Sequence, residues 1–411
     1  MSSVRSFLLI TVPTLALVFI LVIAIDRCLG FFGESKSKIA ENPFSLGYSP
    51  NSIVTYDTPE FHVAAHINQF GFRGRETTIE RKHSFRVLMI GDSHTFGWGV
   101  SDDSTSSILA QQSLLQDGYD VEIFNLGRPG MSPKEYAQVI KNAVPILRPN
   151  LVIVNFLAFD DLSQISPIEK RFRNQTKTLT LSPSKYAMSI ALRMKSRLGR
   201  FFPNIRRLIA PSRVSGTRVS SSSITANWSR SVAKLMTSLT SESATRFENL
   251  EPDVKKRYLE GQLNPGLFRI AFVGNGKEYY KIADSNSSDR LTGMQTLAGY
   301  LDEIKVICEQ NNSSLALILV PFKCNIDSNG IRQLRRIGFT YNFDILLISI
   351  DHARDIEFAA QNARIPFYSA FNAFRSIGSE SLFFPYDTHM NGRGQWLYSG
   401  FVKNIIISYI T

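Results

Sequence analysis

Unbroken apolar runs recur along the chain at FRVLMIG (85–91), VEIFNLG (121–127), NLVIVNFLAF (150–159), SLALILVPF (314–322) and IPFYSAF (365–371). Short continuous runs of this kind have the length of strands buried on both faces. Between and after them, residues 104–116, 133–144, 291–309, 351–361 and 394–409 read as helices. Strands alternating with helices of that length imply parallel pairing with right-handed crossovers, hence a doubly wound α/β sheet.

Two stretches break the rhythm. FLLITVPTLALVFILVIAI (7–25) has no charge over 19 residues, and at about 1.5 Å per residue it reaches roughly 28 Å, close to a bilayer core. Pro13 is tolerated in a spanning helix. The run exceeds the roughly 7 to 15 residues of a signal-peptide core, and no small-residue cleavage site follows, so a retained N-terminal transmembrane helix is expected rather than a cleaved leader. IDRC, ending at Cys28, lacks the small residues expected ahead of a lipidated cysteine. Arg5 precedes the run while Arg27, Lys36 and Lys38 follow it, so loop charge leaves the orientation undecided. We expect the tail inside and the bulk of the chain outside the cytoplasm, periplasmic or at the cell surface. The second break lies between about 163 and 288, where no strand–helix alternation is visible and 169–230 is rich in Arg, Lys and Ser. The expected organisation is an anchor (1–30), a linker and lead-in (31–83), one α/β domain in two parts (84–162 and 289–411), and a long basic insertion (163–288).

Charge sharpens the partner question. Lys and Arg number 46 against 35 acidic residues, a net +11, and KRFRNQTK, RMKSRLGR and NIRRLIAPSR cluster between Lys170 and Arg213. No nucleic-acid recognition motif accompanies them, and a chain anchored with its bulk outside does not meet nucleic acid, so that partner is set aside. An anionic lipid or glycan surface fits better, with 186–209 lying along a bilayer and its basic residues at the headgroups; a solvated basic loop is the plainer alternative. Cys28, Cys308 and Cys324 form no CxxC or framework spacing, leaving three thiols or one bridge between Cys308 and Cys324.

Candidate chemistry centres on RVLMIGDSHTFGWGV (86–100). The strand breaks at Gly91 and delivers Asp92, Ser93 and His94 to its carboxyl end, where open α/β sheets bind ligands. Familiar glycine loops do not fit. The third dinucleotide-fingerprint position is Asp102, Gly97 is followed by Trp98 where a phosphate loop needs Lys, and Asp92 and Thr95 spoil a GxSxG elbow. No cofactor is implied. A serine becomes a nucleophile with a base in reach and a third group orienting that base. FPYDTHMNGRG (384–394) offers both: Asp387 and His389 are two apart, so one short turn can hold the carboxylate against Nδ1 while Nε2 faces outward.

GDSHTFG after the first strand, NLGRPGMS (125–132) after the second, NFLAFDD (155–161) after the third and DTHMN (387–391) near the end stand in the order of four blocks. In these the chain resembles the SGNH, or GDSL-type, hydrolase and acyltransferase superfamily, over roughly 84–162 and 290–410. HINQFGFRG (66–74) and the expected anchor further resemble its membrane-anchored extracytoplasmic subgroup that handles polysaccharide acyl groups. The resemblance implies that Ser93 is the nucleophile, His389 the general base and Asp387 its orienter. It also implies that the Gly127 N–H faces the oxyanion together with that of Ser93, such donors being worth about 3 to 4 kcal/mol each.

The third block departs from that pattern, with Asp160 followed by Asp161 where the superfamily places an Asn as oxyanion donor. An ionised carboxylate repels a developing oxyanion. Either Asp160 is held protonated by a dry site, or Asn155 or a backbone N–H substitutes, or turnover is impaired. Asp161, Asn155 and Trp98 are the candidates for contact with substrate. Asp92 is expected to brace the turn by bonding nearby backbone, and His94 to be a surface or pocket-wall residue rather than a second base. Gly97, Trp98 and Gly99 line an acyl pocket or merely pack, and Arg73 either holds an anionic group or is a solvated turn residue.

The expected fold is thus a flavodoxin-like doubly wound parallel sheet flanked by helices, with the basic insertion and the anchor added. The expected function is a serine esterase or O-acyltransferase acting on acetyl or other acyl esters of an extracytoplasmic glycan, or on a small ester, with a multi-spanning membrane acyltransferase as a partner. Two alternatives stand beside it. One is an interaction or carbohydrate-binding protein that keeps the fold without turnover. The other is a metallohydrolase using the pairs Asp92-x-His94 and Asp387-x-His389.

Overall fold

A computed structural model describes residues 13–14, 48–74, 78–165, 221–273, 288–340 and 345–411. Apart from Pro13 and Thr14 these belong to one unit built from 42–175 and 215–411. The expected anchor at 7–25, those two residues excepted, the basic cluster at 170–213 and Cys28 lie outside the described residues. Among the described residues no helix is long and apolar enough to cross a membrane.

Strands β1 (Ser52–Asp57) and β2 (His62–Ile67) pair as an antiparallel hairpin within the stretch 31–83 expected to be a linker and lead-in. The main sheet follows with β3 (Phe85–Ile90), β4 (Val121–Asn125), β5 (Leu151–Leu157), β6 (Ser314–Val320) and β7 (Phe367–Ser369), in the order β4-β3-β5-β6-β7. Every pairing in it is parallel, as the helix-length connections require. The chain leaves β3 first to one side and then to the other, so the carboxyl ends of β3, β4 and β5 diverge around a crevice. Open α/β sheets bind their ligands at such a switch in strand order.

Successive side chains of a buried strand serve opposite faces. Leu88, Ile90, Val152 and Val154 enter one core and Val87, Met89, Leu151 and Ile153 the other. The helices begin with α1 (Ser93–Phe96), α2 (Ser106–Gln116), α3 (Pro133–Leu147) and α4 (Ala158–Ile165). Helix α3 starts where the Glu135 carboxylate accepts the Ser132 N–H at 2.9 Å, and it runs through Pro145 to Leu147 instead of stopping at 144. Burial of Ile140, Val144 and Leu147 against the sheet outweighs the one backbone bond that proline removes. The expected third strand to 159 ends at Leu157, which places Asp160 and Asp161 in the first turn of α4.

Part of the insertion is helical. Residues 221–273 hold α5 (Ser221–Met236), α6 (Ser241–Glu248), α7 (Pro252–Leu259), α8 (Pro265–Phe268) and a π-helical turn at Arg269–Val273. Two-turn helices such as α7 bury a single pair, Val254 and Tyr258, too little periodicity to be visible in sequence. The chain continues through α9 (Ser288–Gln310), α10 (Ser328–Arg336), α11 (Ile345–Asn362), α12 (Phe371–Arg375), α13 (Ser379–Leu382) and α14 (Gly392–Ile410). Phe247, Tyr258, Phe268 and Phe272 of the insertion share a satellite core with Ile331 and Leu334 of α10. Cys308 and Cys324 are buried free thiols in different cores, so the bridge considered between them is not formed.

Candidate active site

Ser93 opens α1 directly beyond β3. The turn before it is tight. A Cβ on Gly91 would lie 2.1 Å from Thr95 Oγ1, and Asp92 accepts the His94 N–H at 2.9 Å, the bracing role expected of it. Helix α1 rests on Gly127, where a Cβ would come within 2.5 Å of the Phe96 nitrogen. Gly127 is therefore a packing residue: its N–H is spent on Asn125 Oδ1 at 3.0 Å, which corrects its assignment as an oxyanion donor. Gly130, three residues on with φ at +76°, is the glycine of that block that lines the cleft beside Ser93. The same NLGRPG segment carries both, and a left-handed turn glycine is the signal that separates them.

The distant loop arrives opposite Ser93. Ser93 Oγ lies 2.6 Å from His389 Nε2, and Asp387 Oδ1 is hydrogen-bonded to His389 Nδ1. An Nδ1–H directed at Asp387 leaves the Nε2 lone pair to accept the serine proton. The other Asp387 oxygen accepts the Trp98 indole N–H at 3.3 Å, and Asp387 Oδ1 also takes the His389 backbone N–H at 2.9 Å. Burial pulls the His389 imidazole down, but the charge and hydrogen bond of Asp387, helped by Asp92 and Asp160, outweigh it and hold it above its ordinary value. Burial likewise pushes Asp387 up, and His389 with Trp98 brings it below the usual carboxylate range. The two groups favour each other's charged forms.

A cleft of about 560 Å³ opens over Ser93 and His389. Asp160 lines it and accepts the Gln164 amide at 2.6 Å. Asp92 is raised to about 7, by burial first, against the His94 N–H, and then by the charge of Asp160. His94 stands on the wall, its ring 4.9 Å from that of His389, and burial followed by the His389 charge keeps it well below its ordinary value. Leu267 and Ile270 of the insertion, with Phe322 and Phe339, give the cleft an apolar side.

The remaining candidates are placed differently from expectation. Asp161 is wholly buried, accepting the Tyr136 hydroxyl at 2.8 Å and the Leu157 N–H at 2.7 Å; it ties α4 to the sheet and touches no cleft, so it is not a substrate contact. Asn155 lies beneath Gly91 and accepts the Tyr398 hydroxyl at 2.6 Å. It too is absent from the cleft wall and does not stand in for the missing oxyanion asparagine. Trp98 does line the cleft. Arg73 is neither solvated nor in the cleft. At 3% exposure it donates to the carbonyls of Phe96, Gly97 and Val100 and pairs with Asp102 at 2.8 Å. Among the described residues no group of three or more His, Cys, Asp or Glu side chains is arranged to hold a metal, and both ring nitrogens of His389 are engaged.

No protein-family model matches the chain, and neither does any curated protein. Solved structures it is similar to include TesA, at 9% identity and a TM-score of 0.35, covering 77% of this chain and 97% of that one. Another is a putative acylhydrolase from Bacteroides fragilis, at 10% and 0.35, covering 80% and 90%. A third is a lipase/acylhydrolase from Enterococcus faecalis, at 13% and 0.36, covering 78% and 95%. In its four sequence blocks and in the Ser93, Asp387 and His389 cluster they assemble, the chain is similar to the SGNH, or GDSL-type, hydrolase and acyltransferase superfamily.

Proposed function

We propose that this protein is a serine esterase or O-acyltransferase working through an acyl-serine. The observation that carries the reading is the continuous hydrogen-bond chain from Asp387 through His389 to Ser93 Oγ at the floor of an open cleft. Ser93 Oγ bonds to the ester carbonyl carbon while its proton passes to His389 Nε2. Collapse of the tetrahedral adduct breaks the bond to the alcohol oxygen, which leaves with that proton. An incoming hydroxyl then gives its proton to Nε2, bonds to the acyl carbon and releases Ser93, whose Oγ recovers the proton. Water as acceptor makes the protein an esterase, and a sugar hydroxyl makes it a transferase.

The developing oxyanion is met by the backbone N–H groups of Ser93 and Gly130, with Asp160 on the same cleft wall. A neutral acid donates where an ionised one repels. The apolar side of the cleft takes the acyl group. In the full reading the chain is anchored by 7–25 with its bulk outside the cytoplasm, and the acceptor or donor is an acylated glycan supplied with the help of a membrane-spanning acyltransferase.

Mass spectrometry of the full-length chain after brief exposure to p-nitrophenyl acetate tests the reading. We expect an acetyl adduct on Ser93 that is absent from Ser93→Ala. A long-lived adduct in water that a sugar hydroxyl discharges identifies a transferase, and a short-lived one an esterase. No adduct in the parent or in Asp160→Asn overturns the assignment in favour of a binding protein.

A further inference from the structure

The hairpin stands apart from the main sheet and holds no member of the triad, yet its turn reaches the loop that carries two of them. We propose that Glu60, in the turn between β1 and β2, is a positioning residue that fixes the Asp387–His389 loop at the separation from Ser93 that proton transfer requires. This rests on the triad reading above.

Glu60 grips backbone. Its Oε1 accepts the Tyr386 N–H and its Oε2 the Asp387 N–H, each at 2.7 Å. From the other side the fully buried Lys323 ammonium donates to the carbonyls of Phe384 and of Pro385, the latter at 2.9 Å. A carboxylate thus holds two amides and an ammonium holds two carbonyls of one four-residue stretch. The hairpin also packs Tyr56 and Phe61 on Trp98, with ring centroids 4.4 and 6.3 Å away, and Trp98 is the donor to Asp387. Just past β2, Arg73 holds the carbonyls that follow Ser93. One segment, 56–73, therefore braces the nucleophile turn and the base loop together. Ser93 and His389 are 296 positions apart and leave from different elements, so the sheet alone does not set their separation. The two charge-assisted bonds from one carboxylate fall on consecutive amides, those of the residue that orients the base and of its neighbour.

Full-length parent, Glu60→Gln and Glu60→Ala are compared with p-nitrophenyl acetate, rates being taken per Ser93 that acylates. In Glu60→Gln one amide loses its acceptor, since the side chain now presents an NH₂ to it. We expect kcat to fall roughly tenfold to hundredfold, the scale of sub-ångström misplacement, with KM unchanged. The acid limb of the pH profile should move down, because a displaced Asp387 no longer supports the imidazolium. Formate added to Glu60→Ala should restore part of kcat by occupying the vacated carboxylate position. The proposal is overturned if kcat per acylating Ser93 is unchanged in Glu60→Gln, or if the loss disappears once the folded fraction is counted. Failure of the parent to acylate at Ser93 sinks the triad reading and this inference with it. Normal parental acylation with an indifferent Glu60 sinks this inference alone.

Discussion

Replacing Asp160 by Asn tests whether a carboxyl group can serve the oxyanion in this cleft. Asp160 lines the cleft with Ser93, and its charge helps to raise Asp92 to about 7 after burial itself. Burial and that charge keep Asp92 protonated to near neutral pH. As a neutral acid Asp160 would be a donor, and a donor at an oxyanion is worth about 2.7 to 4 kcal/mol, or roughly 10² to 10³ in rate. As a carboxylate it donates nothing and adds a repulsion, of order 4 kcal/mol for unit charges about 4 Å apart at an effective dielectric near 20. His389 must be neutral to act as base, and its raised value places the acid limb above about 6.5, the ordinary histidine value. The parent should accordingly lose kcat/KM on the acid side through His389, and on the alkaline side if Asp160 must be neutral to serve the oxyanion. Asp160→Asn supplies a permanent neutral donor. Its alkaline limb should vanish, and at pH 9 the variant should exceed the parent by roughly 10². Superimposable profiles, or a variant slower at every pH, would refute the reasoning.

Other substitutions probe the frame around the site. Gly127→Ala should push α1 off its seat, since the new methyl meets the Phe96 nitrogen at 2.5 Å; a loss of about 1 to 3 kcal/mol in denaturant unfolding should accompany a fall in kcat, and an unchanged midpoint would show that the contact yields. Arg86 is buried, pairs with Glu122 at 2.7 Å and donates to the Ile79, Glu80 and Leu147 carbonyls. Arg86→Ala should cost about 3 to 5 kcal/mol by stranding Glu122, and recovery on adding Glu122→Leu would identify the stranded charge as the cause. Trp98→Phe keeps an aromatic ring but removes the indole donor to Asp387, a bond to a charged group worth about 1.5 to 3 kcal/mol; kcat should fall roughly tenfold or more with the fold intact, and equal rates would remove Trp98 from the supporting set.

Legibility followed the range of the interactions. The strands were visible because burial on both faces leaves continuous apolar runs, and Ser93, Asp387 and His389 because each sits in a short local pattern whose turn chemistry is written in adjacent residues. Gly127 misled because two glycines share one block and only backbone geometry distinguishes the one packed under α1 from the one at the cleft. Asp161 and Asn155 misled because polar residues at a strand's carboxyl end look alike whether they face the cleft or fasten the strand to a neighbour. Tyr136 and Tyr398, which claim them, lie on helices 25 and 243 positions away. Glu60 was illegible as a brace because its partners stand 326 and 327 positions away, and Arg73 because the partners it holds at Phe96, Gly97 and Val100 are backbone carbonyls, which leave no side-chain signature.

The insertion shows where the chain's individuality is placed. It leaves after β5 and α4, at the carboxyl edge where the cleft opens, and brings Asn264, Leu267 and Ile270 to the cleft wall. Loops at that edge can change without disturbing strand pairing, because the core contacts of β3, β5 and β6 are made below them. Its helices instead close a small core of their own against α10, so the wall they present is held firmly although it lies outside the sheet. On the proposed reading, the residues that make and break the acyl-serine bond are fixed by the ends of β3 and the 384–389 loop, whereas 264–270 supply part of the wall offered to the acyl and acceptor groups. Exchanging Leu267 and Ile270 for smaller or larger apolar residues should therefore redistribute rates among p-nitrophenyl esters of different chain length while leaving the pH limbs in place. A shift of the limbs by those substitutions would show that the wall and the proton-transfer machinery are not separable in the way this division of labour requires.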